Sequence, residues 1–426
     1  MTRLLRLLAA CLALVLAAPA LAQTVYVRAG HLIEPATGEV LEDRLIRIEN
    51  GRVAEITPWA PPPPDATVID WSRFWVLPGL IDVHVHLADF LQSSDPAEPL
   101  KHSPEATAYA GARNARVTLE AGFTTVHDVG SYRARGAIEL RNAIDRGDIP
   151  GPRINAVGGY ITVPGGGGEV TGLPKGMKVP PDMRMGVVRG PADVRRKVNA
   201  MFDLGANSIK LIATGAVLTE GTEPGQIELS GPEIVAAVKT AKARGGWVTA
   251  HAHGAEGIKL AIRSGVRGIE HASLIDDEGI ALAKARGTYL VMDVYNGDYI
   301  AEVGRRDGWS ADILRKNDET TDAQRQGFAK AVKAGVKLPF GSDAGVFPHG
   351  LQARQFAYMV RFGMPPLQAI RSATTIAAEF LGWDKDVGSL TPGRYADMIA
   401  VRANPLEDVT ELERVVHVMK GGVVVR

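Results

Sequence analysis

The 426-residue chain has a single cysteine, Cys11, and no excess charge of either sign, with 48 lysines and arginines against 48 aspartates and glutamates. One cysteine excludes an internal disulfide framework and any cysteine-rich metal site. Balanced, interspersed charge leaves no basic stripe for nucleic acid, so no nucleic-acid partner is expected. Long hydrophobic runs are also lacking. Beyond the apolar stretch 7–16, nothing approaches the roughly 20 residues that a bilayer span requires, and no membrane partner is expected. A G-x-S-x-G elbow is missing, which removes the serine-hydrolase reading. The glycine-rich stretch 158–172 lacks the following GK[ST] of a phosphate cradle, so it reads as a mobile loop at the mouth of the fold.

What is present is a globular composition, 46% hydrophobic and 23% charged. Residues 1–22 stand apart. Arg3 and Arg6 precede the apolar run, and Ala20-Leu21-Ala22 offers small residues for cleavage. This is the pattern of a secretory signal peptide, and it places the mature protein in the periplasm or outside the cell. Cleavage would remove Cys11 and leave 46 bases against 48 acids. Leu8-Ala9-Ala10-Cys11 also has the form of a lipoprotein box, set very early in the chain.

From residue 23 to 77 the pattern is strand-like, at 24–28, 45–49 and 53–56, with Glu49-Asn50-Gly51-Arg52 as a hairpin turn. Four prolines, Pro61 to Pro64, read as a stiff surface loop. After Pro78-Gly79 apolar strands alternate with helical stretches. Eight strands are expected, at 80–86, 124–128, 153–158, 208–212, 247–251, 268–271, 289–294 and 337–341. The helical stretches 104–121, 191–204, 232–244 and 255–264 lie between them, often with proline at the start and glycine at the end. Eight such units over 78–387 predict an α/β fold, a (β/α)8 TIM barrel, with reactive residues at the C-terminal ends of its strands. The tail, 388–426, returns to strands. It is expected to join residues 23–77 in a small β-sandwich domain built from both termini.

Five of the ten histidines fall at the ends of these strands. His84 and His86 are two apart, so both rings point to one face. His251 and His253 repeat the spacing, and His271 follows about one βα unit later. Asp343 ends the last strand and adds a carboxylate to the same rim. Nitrogen and oxygen donors without thiolate suit zinc, with manganese, cobalt or nickel as alternatives. Lys210 lies in the apolar strand Ser208-Ile209-Lys210-Leu211-Ile212, where an ammonium is costly without a partner. A snorkelling strand-end lysine is one reading. The other, which the neighbouring donors favour, is a lysine of depressed pKa that takes up carbon dioxide and bridges metals as a carbamate.

Taken together, Pro78-Gly79-Leu80-Ile81-Asp82-Val83-His84-Val85-His86, Ile209-Lys210, Thr249-Ala250-His251-Ala252-His253-Gly254, Ile269-Glu270-His271-Ala272 and Gly341-Ser342-Asp343-Ala344 resemble the amidohydrolase superfamily, in its binuclear branch with a carboxylated lysine. The stretch 270–279, Asp293-Val294-Tyr295-Asn296 and Val418-Met419-Lys420-Gly421-Gly422 are similar to its metallo-carboxypeptidase and prolidase subgroup, which includes ochratoxin-hydrolysing members. The resemblance implies two divalent metal ions, zinc foremost. His84, His86 and Asp343 would hold one, His251 and His271 the other, and carboxylated Lys210 both. It implies a substrate-contacting role for His253 and Tyr295 and a homo-oligomer, an octamer among its forms. Two departures stand out. No histidine follows the paired glycines of the third loop, and His127 ends the second strand where relatives commonly carry arginine.

The resemblance implies hydrolysis of a small-molecule amide or dipeptide, releasing a C-terminal amino acid from an acyl or aminoacyl group. Ochratoxin A falls within that class. Asp343 would act as the catalytic proton carrier and Tyr295 as a hydrogen-bond donor to the oxyanion. The glycine-rich backbone, His253 and His127 are all candidates for the substrate carboxylate. Two alternatives stay open: a cyclic-amide hydrolase or deacetylase with the same metals, and a secreted metal- or solute-binding protein without turnover.

Overall fold

The computed structural model describes residues 24–426, so the signal-peptide expectation and Cys11 lie outside the described residues. The chain opens with β1 (Thr24–Glu34), β2 (Glu39–Glu49), β3 (Arg52–Pro58) and β4 (Thr67–Pro78). The hairpin turn is where Asn50 and Gly51 were expected to make it. Both are left-handed, at φ 51° and 74°, which lets Glu49 pair with Arg52. Along β1, Val25, Val27 and Ala29 face inward while Tyr26 and Arg28 face out, the period-two pattern of a half-buried strand.

Seven strands then run as the barrel staves: β5 (Leu80–Val85), β6 (Phe123–Asp128), β7 (Arg153–Ala156), β8 (Ile209–Ile212), β9 (Val248–Ala252), β10 (Gly268–His271) and β11 (Tyr289–Val291). Their pairings are parallel and nearly every residue is buried, as staves covered on both faces require. The seam between β7 and β8 is stitched by Ile161, whose N–H donates to Lys210 O at 3.0 Å while its own carbonyl accepts from Ile212 at 2.9 Å. The expected eighth strand is irregular. Residues 337–341 touch both neighbours at single points, Leu290 N to Lys337 O at 3.1 Å and Val83 N to Phe340 O at 2.9 Å, and these bonds close the barrel.

The intervening helices start as the sequence suggests. Ser103 caps Pro104–Glu120 by accepting from Ala106 N at 3.2 Å, and Ser230 with Glu233 forms a capping box before Gly231–Ala243. The longest helix, Ala311–Ala334, buries Lys316, Asn317, Thr320 and Gln324 on its inner face. Among the described residues no helix is long and apolar enough to cross a membrane.

The tail adds β12 (Met398–Val401), β13 (His417–Lys420) and β14 (Val423–Val424). Both termini do share one β layer, and it is a single mixed sheet in the order β14-β13-β12-β4-β1-β2-β3. One face buries Val27, Ile46, Trp71, Met398 and Met419 together, while Leu77, Ile399 and Val418 join the barrel core.

Candidate metal centre

The C-terminal ends of the staves surround a cavity of about 810 Å³, and the expected ligands line it: His84, His86, Lys210, His251, His271 and Asp343, with His253 beside them. Strand alternation sends His84 and His86 inward together from β5. On β10 the alternation is broken. His271 adopts φ 69° and Ala272 φ 49°, so His271 faces the cavity although its neighbour Glu270 already points into the barrel. Asp343 is also left-handed, at φ 63°. Such backbone costs about 1–3 kcal/mol per residue and here it aims donors at one centre.

His84 Nε2 and His86 Nε2 lie 3.3 and 3.2 Å from the same oxygen, Asp343 Oδ1. Two donors bonded to one tetrahedral zinc at about 2.0–2.1 Å sit roughly 3.3 Å apart, so this triangle has the dimensions of a ligand set. Donor atoms of His251, His253 and His271 form a second group within 4.8 Å of one another, and His271 and Asp343 meet again in a third with Asp293. The residues present therefore fit divalent metal.

Buried carboxylates orient the rings. Glu270 Oε2 lies 2.8 Å from His84 Nδ1, and Asp293 Oδ1 lies 3.0 Å from His271 Nδ1. Burial alone would raise both acids, but Lys210 and His84 bring Glu270 down to about 2, and His271 brings Asp293 to about 2. Asp343 is likewise held well below the usual carboxylate range by His84 and His86 against the effect of burial. Its Oδ2 accepts from Asn296 Nδ2 at 2.8 Å, and Asn296 also reaches Asp293 Oδ2 at 3.0 Å. Gln324 donates to Asp293 Oδ1 at 2.8 Å.

Lys210 is 2% exposed, and burial lowers its pKa despite Glu270, Asp343 and Asp293 nearby. Burial also lowers His251 far below its ordinary value, with His253 and His271 adding repulsion, and brings His253 to about 3. Both rings are neutral, the form that donates a lone pair. His253 Nδ1 is 2.8 Å from Ser273 Oγ, and the ring faces the cavity where a substrate contact was expected.

Two expected substrate contacts are corrected. Tyr295 follows the wall strand but turns away from the cavity, its hydroxyl accepting from Arg354 at 3.1 Å and its ring packed on Phe347 and Tyr358. His127 is completely buried below the centre, bridging Val83 O at 3.1 Å and Ser208 Oγ at 3.0 Å, with Trp247 and Phe380 against its ring. Neither is among the residues that line the cavity. The phenols that do line it are Tyr132 and Tyr160, and Tyr160 OH sits 3.1 Å from His86 Nδ1. The glycine-rich stretch lies at the mouth as expected, but it is tied down. Gly167 N donates to Glu228 at 2.9 Å, and a methyl group on Gly168 would come within 2.7 Å of Ile212.

A family model described as amidohydrolase family matches residues 75–425. The ochratoxinase of Aspergillus niger is 30% identical over 438 residues, spanning 96% of this chain and 88% of its own. Its crystal structure superposes with a TM-score of 0.82 at 29% identity, covering 95% of each chain. A Xaa-Pro dipeptidase crystallised with methionine in its active site is similar with a TM-score of 0.88 and 37% identity, over 94% of this chain and 99% of that one. A prolidase complexed with N-methylphosphonate-L-proline gives 0.87 and 30%, over 95% and 99%. A histidine-rich rim on a closed β/α barrel, matched along nearly its whole length, makes the chain a hydrolase that belongs to the amidohydrolase family.

Proposed function

We propose that this hydrolase cleaves the amide bond joining a C-terminal amino acid to an acyl or aminoacyl group, as a binuclear enzyme of carboxypeptidase or dipeptidase type. The triangle of His84 Nε2, His86 Nε2 and Asp343 Oδ1, beside a second imidazole set, carries this reading. The similarity to an ochratoxinase and to Xaa-Pro dipeptidases supports the substrate class, ochratoxin A included. His84, His86 and Asp343 would hold one zinc ion, His251 and His271 the other, and carboxylated Lys210 would lie between them. Bound there, the ions would lower the pKa of a water molecule and polarise the scissile carbonyl.

The chain's own groups do the rest. Asp343 Oδ1 faces the reacting centre while Asn296 fixes Oδ2, so the carboxylate is placed to take a proton from the attacking water and hand it to the leaving nitrogen. Among the described residues the cavity wall has no arginine, and its one lysine is Lys210. A substrate carboxylate therefore meets neutral donors, with Gln92, Tyr132 and His253 within the same wall. Export through residues 1–22 and a homo-oligomeric assembly belong to the same proposal.

Metal analysis and a substrate panel test it together. Purified protein should carry about two divalent ions per chain and hydrolyse dipeptides that vary in their C-terminal residue, or ochratoxin A, in preference to hydantoin-type rings. His84→Ala and Lys210→Ala should each lower metal content and cut hydrolysis by about a hundredfold or more. Less than one ion per chain, with hydrolysis intact in both variants, would overturn the proposal.

A further inference from the structure

Lys316 is one of the largest fully buried side chains, yet it is not on a barrel stave and faces no metal ligand. Its ammonium extends from the helix Ala311–Ala334 into the loop after β8, donating to Thr219 O at 2.8 Å and Thr222 O at 3.3 Å, with Asp312 Oδ2 at 2.9 Å as counter-charge. A buried ammonium is costly unless its donors are met, so the loop carbonyls and the helix are bound to a single arrangement. Arg315 adds an outer tie to Glu223 at 2.8 Å.

The loop held in this way forms part of the wall of the catalytic cavity. Leu218 and Thr219, opposite Gln92 and Tyr132, separate the catalytic cavity from a neighbouring compartment of about 770 Å³ that both pairs also line. Thr219 Oγ1 donates to Gly167 O at 2.9 Å, so the tie passes on to the glycine-rich loop on the other side of the mouth. One buried cation is thus bonded to the first loop and, through Thr219, connected to the second.

We propose that Lys316 is a positioning residue that sets specificity: it holds the wall shared by the two compartments so that the second one accepts a bulky acyl half while the amide sits at the catalytic centre. This rests on the amide-hydrolysing reading above. Small substrates confined to the catalytic cavity need the wall less than an N-acyl amino acid with an aromatic acyl group.

The test compares wild type with Lys316→Met by steady-state kinetics on a small dipeptide and on an aromatic N-acyl amino acid, and by amide hydrogen exchange. For the bulky substrate KM should rise about tenfold with kcat within about twofold, for the small one KM should change little, and metal content should be unchanged. Amides of 216–223 should exchange faster. If Lys316→Met fails to fold, Thr219→Val breaks only the link to Gly167 and should speed exchange at 165–168 with a smaller rise in KM for the bulky substrate. Unchanged exchange, equal KM effects on both substrates, or loss of kcat with metal would overturn the proposal. Wild type that hydrolyses no amide would sink the functional reading instead, while exchange would still decide whether Lys316 holds the loops.

Discussion

Glu270 has no exposure, and its two oxygens are divided between His84 Nδ1 at 2.8 Å and Thr249 Oγ1 at 2.5 Å. Asp293 does the same for His271, with Gln324 and Asn296 as its further partners. The hydrogen bond from His271 Nδ1 to Asp293 fixes that tautomer and presents Nε2 to the cavity, while Glu270 lies against His84 Nδ1 as a charge contact, so both acids act through the ligands beside them. Glu270→Gln should keep the fold and weaken metal retention by about 10–100-fold, read as the chelator concentration that strips half the metal. Both acids stand in motifs visible in the sequence, Glu270 one residue before His271 and Asp293 two before Tyr295. Their role was not legible, because strand alternation would turn Glu270 away from the side His271 faces, and only the left-handed turn at His271 brings both inside.

At the scale of elements, the irregular closing segment 337–341 is where the barrel and the site depend on each other. Gly341 packs between β11 and β5: a methyl group there would lie 2.2 Å from Val291 Cγ1 and 3.0 Å from His84 Cβ. Gly341→Ala should therefore lower stability by about 1–3 kcal/mol in denaturant unfolding and reduce metal content with it, since His84 must move. Unaltered metal content would show that the segment closes the barrel without placing the ligand. The helix Ala311–Ala334 was the least legible element. Its inner face carries Lys316, Asn317, Thr320 and Gln324 among few large apolar residues, so no hydrophobic stripe marks it. The staves, by contrast, were readable as short apolar runs because both of their faces are covered.

The molecule as a whole is a barrel locked to a terminal sheet. Arg153 on β7 grips Asp397 through two bonds of 3.0 and 3.2 Å and stacks 3.5 Å over Tyr395, while Lys420 on β13 donates to Gly151 O at 2.6 Å. Burial and the nearby Arg153 push Lys420 down to about 8. Between pH 8 and its ordinary value of 10.5, the unfolded chain holds this proton and the folded chain does not. Lys420 therefore adds stability as pH rises through that window and opposes folding below it. The difference in urea midpoint between wild type and Lys420→Met should move in favour of wild type from pH 7.5 to pH 10. A constant difference would mean that the lysine titrates normally and the junction is wetter than its packing implies.

Composition and periodicity by themselves indicated the α/β class, seven of the eight expected staves and the return of the tail to strands, because covered strands and capped helices leave local signatures. Residue type and position at strand ends singled out five histidines, Lys210 and Asp343, and the family resemblance narrowed these to six candidate ligands by setting His253 aside. Only the tertiary structure decided which side chains share a cavity. It placed Tyr295 against Arg354, His127 beneath the centre and Lys316 behind the substrate wall, since packing between elements distant in sequence, and backbone turns such as those at His271 and Asp343, set where a side chain ends.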